Sequence, residues 1–361
     1  MKKRICFFSG DITRSGGTER VSIQLANALN KEGSFTICFV SLTEQQQKPF
    51  YELDAGIKRY RLGKKWIAPG PGYIPLIGKL RKFLKEQKID IIVDIDIVLD
   101  SLSLFAARGL NTKVVSWEHF NCEFEQSVTY RKWISRLSAR FADYMVTLTE
   151  EDRENYRRIL GRKTRICAIY NMVSKMQRNE AVPRENIIVT AGRLTYQKGT
   201  EYLARVAAVV LKKHPDWKWL VLGDGEERPI LEQAISENGL ENQLVLEGTV
   251  DSVEGYLERA KLSVLTSRYE GFGMCLVEAL QMKVPCISFD VKVGPSEIIR
   301  DGQNGLLIPP CDCEEMARQI CDLIENPDRL AALTANTSVG FERYSDETII
   351  EKWKSVFYEV S

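Results

Sequence analysis

Two doubly wound α/β domains in tandem are what the sequence predicts, and three observations predict them. Short apolar runs alternate with stretches whose apolar positions recur at helical spacing, the rhythm of parallel strands covered on both faces by helices. That rhythm is interrupted once, by the polar segment 171–186 with its proline at 183, and then restarts. At 361 residues the chain is long enough for two hydrophobic cores. The expected division is a first domain over 1–172 and a second over 184–344, each Rossmann-like, with a cleft between them.

Composition is that of an ordinary globular protein, 44% hydrophobic and 27% charged, with a formal net charge of +1. The near-neutrality hides a split. Residues 1–170 hold 29 Lys and Arg against 19 Asp and Glu, a net of +10, and the remaining 21 against 30 leave −9 on 171–361. Such asymmetry points the first half at an anionic partner, either nucleic acid or a membrane surface. Nine scattered cysteines, an odd number, fit reduced thiols in a cytoplasmic protein. Cys311-Asp312-Cys313 is too tightly spaced for a zinc site and lacks a second pair, and His119 and His214 are the only imidazoles. No apolar run reaches the roughly 18 residues that a membrane helix needs. The basic start at 1–4 is followed by too short an apolar run, 5–8, for a signal peptide.

In chain order, residues 4–8 read as a first buried strand, and Ser15-Gly16-Gly17-Thr18-Glu19-Arg20 opens a helix on Val21, Leu25, Ala28 and Leu29. A strand, a glycine turn and a helix present backbone N–H groups to a phosphate, although an ordinary tight turn reads the same way. The lack of G-x-G-x-x-G argues against a nicotinamide cofactor. Residues 35–42 are a second strand. Segment 58–88 is different: Lys58, Arg59, Arg61, Lys64 and Lys65 lead into a turn-rich stretch. Its helix then sets Leu76, Ile77, Leu80, Phe83 and Leu84 on one side among Lys79, Arg81, Lys82, Lys85 and Lys88. This fits an element lying on an anionic membrane, or a surface helix with a solvated charged face.

The strand-like run 89–97 contains Asp94-Ile95-Asp96, and alternation sets both carboxylates on one face, as at a strand end lining a cleft. His119 follows the strand at 114–117, past a carboxyl end, where open α/β sheets build their sites. Strands at 144–148 and 166–170 complete the first half. In the second half strands fall at 187–191, 219–222, 244–246, 262–266 and 284–289, with helices near 199–213, 226–237, 251–259, 274–282, 312–325 and 327–338. A terminal helix covers 346–358.

Several strand ends of the second half carry glycine and charge. Gly192-Arg193-Leu194-Thr195-Tyr196-Gln197-Lys198-Gly199 supplies a planar fork at Arg193 and a point charge at Lys198, a pair suited to a diphosphate. Gly223-Asp224-Gly225 follows the next strand. Glu270-Gly271-Phe272-Gly273-Met274 opens a helix in which Glu278 is the only charge between Met274 and Met282. The glycines allow a tight turn and close ligand approach, and the unpartnered N–H groups there suit an anion. Each motif alone also has a plainer account. Arg193 and Lys198 would be surface cations, and Glu278 with Gln281 the solvated edge of a core helix.

Taken together in their order and spacing, these motifs resemble the retaining GT-B glycosyltransferases, specifically glycosyltransferase family 4. Gly-Gly-x-Glu-Arg-Val at 16–21 is similar to the N-domain turn of that family, and G-R-L-x-x-x-K-G at 192–199 to its diphosphate motif. G-D-G at 223–225, the E-x7-E pair Glu270 and Glu278, and 294–306 are similar to its base-side, signature and closing stretches. The resemblance implies a GT-B fold whose terminal helix, about 345–361, returns to the first domain, and closure over the donor. It implies that Gly16, Gly17, Gly223, Gly271, Phe272, Gly273 and Met274 lie about the donor. Glu270 would hold sugar hydroxyls, Glu278 the ribose, and His119 would face sugar and acceptor. Arg193 and Lys198 would stabilise the departing diphosphate without a metal, and front-face attack would retain the anomeric configuration.

The expected activity is transfer of a hexose or N-acetylhexosamine from a nucleotide-diphosphate sugar, UDP first, to a lipid-linked saccharide of a surface polysaccharide. No metal or other cofactor is expected and no nucleic acid. The enzyme is expected in the cytoplasm, peripheral on the inner membrane face through 58–88. Three rivals stand beside this reading. Asp94-Ile95-Asp96 resembles the metal motif of GT-A glycosyltransferases. A nucleotide-sugar epimerase of the same fold would need no acceptor. A non-catalytic basic module for nucleic acid would lack interleaved aromatics and leave the diphosphate motif unexplained.

Overall fold

The apolar runs become the strands of two parallel sheets in a computed structural model, which describes residues 2–64, 72–160, 165–173 and 175–361. The first sheet comprises β1 (Arg4–Ser9), β2 (Thr36–Ser41), β3 (Lys58–Arg61), β4 (Ile91–Ile95), β5 (Lys113–Trp117), β6 (Tyr144–Thr147) and β7 (Ile166–Ala168) in the order β3-β2-β1-β4-β5-β6-β7. The second comprises β8 (Ile187–Ala191), β9 (Lys218–Leu222), β10 (Leu244–Gly248), β11 (Leu262–Leu265), β12 (Cys286–Phe289) and β13 (Gly305–Ile308) in the order β10-β9-β8-β11-β12-β13. Both are doubly wound. The order reverses between β1 and β4 in one sheet and between β8 and β11 in the other, and ligands bind such sheets outside the carboxyl ends at those points.

One unit contains Met1–Met172 with Glu342–Ser361, the other Val173–Phe341. The expected linker therefore divides at Met172, and Val173 onward belongs with the second unit. In the first unit Cys6, Phe8, Val40 and Ile92 of the sheet pack with Leu76, Leu80, Phe83 and Leu84 of the helix Tyr73–Glu86. The apolar side of that helix is thus core, and Lys79, Lys82 and Lys85 are left exposed. The part of segment 58–88 at 65–71 lies outside the described residues. In the second unit Trp219, Val221, Val264 and Ile287 meet Val206 and Val210 from one helix and Met316 and Ile320 from another.

Two strands depart from the expectation. Residues 58–61, read as a basic run, form the edge strand β3, and the family-like closing stretch runs into β13. Both are edge strands of four residues, too short and too polar or glycine-led to show alternation. Among the described residues no helix is long and apolar enough to cross a membrane.

The terminal helix Asp346–Glu359 is integral to the first unit. Ser345 caps it, and its buried face carries Ile349, Trp353, Val356 and Phe357. Trp353 lies edge-on to Trp117 of β5 at 4.8 Å, and Phe357 to Phe35 at 5.3 Å. Emptying a buried indole site costs about 3–5 kcal/mol. Trp353→Ala should therefore lower denaturant stability of the first unit by that order, read by the fluorescence midpoint; a midpoint near wild type would show that the helix is dispensable.

Candidate active site

The best-organised charge in the second unit lies at its β8–β11 reversal. After β8 the chain makes a 3₁₀ turn over Tyr196–Lys198, and Gly199 follows in the left-handed region. Lys198 Nζ reaches Glu270 Oε1 at 2.6 Å, and Ser267 Oγ donates to the same oxygen at 2.6 Å. Glu270 is buried and Lys198 half-buried. Burial disfavours the ammonium, but the adjacent Glu270 carboxylate outweighs it and holds the Lys198 pKa above its ordinary value. The pair joins the exits of β8 and β11. Arg193, on the same loop, is exposed and forms no ion pair among the described residues.

Three residues that no sequence motif singled out hold this loop. Thr266 Oγ1 donates to the Lys198 carbonyl at 3.1 Å. Arg268 stacks on Tyr196 at 3.9 Å, pairs with Glu201, and donates to the Tyr196 carbonyl at 2.6 Å. Ser267 is the third, through its bond to Glu270. Backbone approaches explain two glycines. A Cβ on Gly223 would stand 2.0 Å from the Gly192 carbonyl oxygen, and one on Gly294 2.4 Å from that of Phe272. Both also have positive φ, +143° and +102°.

Gly273, at φ +98°, leads into the helix Met274–Gln281, and no side chain caps that end. Its free N–H groups and dipole face the same strand-end region as Lys198. Glu278 lies one turn inside and is buried, so it is not the solvated edge of the helix. Phe272 is buried too, which leaves its backbone, with Gly271 and Gly273, as the part able to meet a ligand.

In the first unit, Gly16 precedes the helix Gly17–Glu32, and Gly17 has open space where a side chain would stand. His119 is buried against Trp117, ring centroids 4.4 Å apart, and burial pushes its pKa down to about 3. It is a neutral imidazole, with Nε2 buried and without a hydrogen-bond partner. The two aspartates of the D-x-D take different partners. Asp94 is fully buried on β4, accepts from Ser103 Oγ, and burial with neighbouring Asp100 raises its pKa. Asp96 lies past the strand end at φ +88° and pairs with Arg131 at 2.9 Å.

The two halves of the chain match two family models, Glycosyltransferase Family 4 over residues 15–175 and Glycosyl transferases group 1 over 173–338. A protein of Haemophilus influenzae described as an uncharacterized glycosyltransferase is 31% identical over 355 residues, 98% of this chain and 99% of its own length. The chain belongs to glycosyltransferase family 4. A Campylobacter jejuni α-1,4-N-acetyl-D-galactosaminyltransferase, named for a diNAcBac-PP-undecaprenol-linked substrate, is 27% identical over 96% of each chain. Among solved structures, a Staphylococcus aureus TarM variant, crystallised with fondaparinux, α-GlcNAc-glycerol and UDP, has a TM-score of 0.80 at 18% identity, covering 98% and 99% of the two chains. That likeness establishes the GT-B fold.

Around His119 this family 4 glycosyltransferase buries further carboxyls. Burial raises Glu118 to about 7, Asp152 to about 8 and Asp100 to about 6. Glu118 accepts from Tyr156 at 2.7 Å, and Asp152 from the Cys122 N–H at 2.8 Å. For these acids the folded pKa exceeds the unfolded value near 4, so the folded state binds more protons and stability is lost as pH rises through the folded values. His119 acts oppositely, costing stability as pH falls from about 6.5 toward 3, and is silent above. The first unit should therefore melt at a lower temperature at pH 8 than at pH 6.5, and Asp152→Asn should flatten that slope. A melting temperature that rises over this interval would contradict the assignment.

Proposed function

We propose that the enzyme moves a hexosyl or N-acetylhexosaminyl group from a UDP-sugar to a hydroxyl of a lipid-linked saccharide in surface polysaccharide synthesis, with retention and without a metal. The observation that carries this is the fixed cation pair at the β8–β11 reversal, Lys198 held by Glu270 with Arg193 unpaired beside it. Charge grows on a departing diphosphate as the glycosidic bond breaks, and preorganised cations with helix N–H groups stabilise it. Glu270 would then exchange part of its contact with Lys198 for sugar hydroxyls, Glu278 would hold the ribose, and neutral His119 would orient a hydroxyl rather than supply charge. UDP in the TarM complex and the undecaprenol-linked substrate in the Campylobacter name support the choice of donor and acceptor class.

A peripheral position on an anionic membrane belongs to the same reading. Besides the basic side of Tyr73–Glu86, the helix Thr129–Phe141 turns Trp133 outward at 68% exposure, beside exposed Arg136 and Arg140, while Ser135 and Ser138 point inward. Aromatic rings among cations suit a lipid interface. Binding to vesicles containing phosphatidylglycerol should weaken with salt and on Lys79→Glu with Lys82→Glu. Equal binding to neutral vesicles would remove the electrostatic part.

The transfer is tested with UDP-sugars and a synthetic undecaprenyl-diphosphate saccharide, reading the new anomeric linkage by NMR with and without EDTA. Arg193→Ala and Lys198→Ala should each lower kcat by about 10²–10³ while UDP affinity falls less. Loss of turnover in EDTA with recovery in Mn²⁺, an inverted product, or near-normal turnover of either variant would each defeat part of the mechanism. Epimerised UDP-sugar from donor alone would favour the epimerase.

A further inference from the structure

A second cavity, of about 600 Å³, opens at the β3 edge of the first sheet and is not used by the chemistry above. It is lined by Glu44, Gln45, Gln46, Gln47, Arg59 and Arg61 among others. The loop that forms it is pinned to the exit of β1: the Gln45 N–H donates to Asp11 at 3.0 Å, and the Gln46 N–H to Thr13 at 3.2 Å. Tyr51 Oη donates to the Ser15 carbonyl at 2.9 Å, one residue before Gly16. The loop is therefore tied to the segment that leads into the glycine turn.

Its charge is built rather than incidental. Arg59 and Arg61 stand two apart on β3, so alternation puts both guanidiniums on one face, while Tyr60 between them packs on Phe83 at 4.9 Å. Arg59 Nη2 donates to the Gln47 carbonyl at 3.0 Å. Its Nη1 forms an ion pair with Glu44 at 3.7 Å, and is buried without a hydrogen bond. Burial raises the Glu44 pKa, and the adjacent Arg59 opposes that shift. Two guanidiniums thus face one carboxylate, next to three consecutive side-chain amides, which pair readily with hydroxyls.

We infer that this cavity binds an anionic saccharide, one bearing a phosphate or a carboxylate. Arg59 and Arg61 would grip the anion, and Gln45, Gln46 and Gln47 the sugar hydroxyls. Guanidinium forks match both anions in bidentate geometry, and the exposed Arg61 offers its fork to the cavity. Naming this ligand an acceptor rests on the proposed transfer reaction; its binding does not. The plainer account is that β3 is an edge strand and its charges prevent edge-to-edge pairing. That account needs only charge, which a lysine supplies equally. It does not account for the cavity or for the three amides beside the arginines.

The test is calorimetric titration of the full chain, without donor, using a glucuronate hexasaccharide, a glycerol-phosphate hexamer and neutral maltohexaose. At least one anionic ligand should bind about tenfold more tightly than maltohexaose. Arg61→Gln should remove most of that difference, and Arg61→Lys, which keeps the charge and loses the fork, should remove part of it. Thermal unfolding of each variant establishes that it folds. Equal affinity for neutral and anionic ligands, no binding of any, or full anionic affinity in Arg61→Gln would overturn the inference. If no UDP-sugar is ever turned over, the proposed reaction fails while this binding result stands.

Discussion

The contact between Lys198 and Glu270 is the constraint on which the second unit's site depends. It spans two strand exits that are distant in sequence and adjacent only because the sheet reverses its order between β8 and β11. An ion pair this protected from water is costly to assemble, and removing one partner strands the other charge. Ser267, Thr266 and Arg268 share that cost by fixing both sides of the contact. The glycines at 223 and 294 then let neighbouring loops close to backbone contact around this pair.

The first unit is organised by the opposite principle, charge suppressed by burial. His119 stays neutral, and Glu118 and Asp152 hold their protons near neutral pH. A neutral imidazole keeps the same hydrogen-bonding character across the working range. The terminal helix closes the same region from behind through Trp353 on Trp117. The charge asymmetry of the chain is therefore a surface property, while the polar groups beneath follow local desolvation.

Much of this was legible in the sequence because parallel strands are buried on both faces and appear as apolar runs. The loops after β1, β8 and β11 could be picked out as strand exits that carry glycine and charge, a pattern that an ordinary tight turn also gives. What could not be read depended on contacts across the sheet. The Lys198–Glu270 pair joins residues 72 apart, and nothing local in Ser267 or Arg268 marks them as supports. The different partners of Asp94 and Asp96 could not be read either, because the strand stops at Ile95 and Asp96 turns into the left-handed region. The edge strand β3 was hidden by the very charges that protect it. The basic helix at 73–86 was read as amphipathic correctly, but its apolar side belongs to the core.

The account's central claim is that a nucleoside diphosphate docks at the carboxyl end of the second sheet, on the loops after β8 and β11. Amide hydrogen exchange of the full chain with and without saturating UDP measures this most directly. The account predicts slowed exchange concentrated in 192–199 and 270–276, with β12 and the helices around the second core unchanged. Protection absent from both loops, or centred elsewhere in the chain, would contradict it.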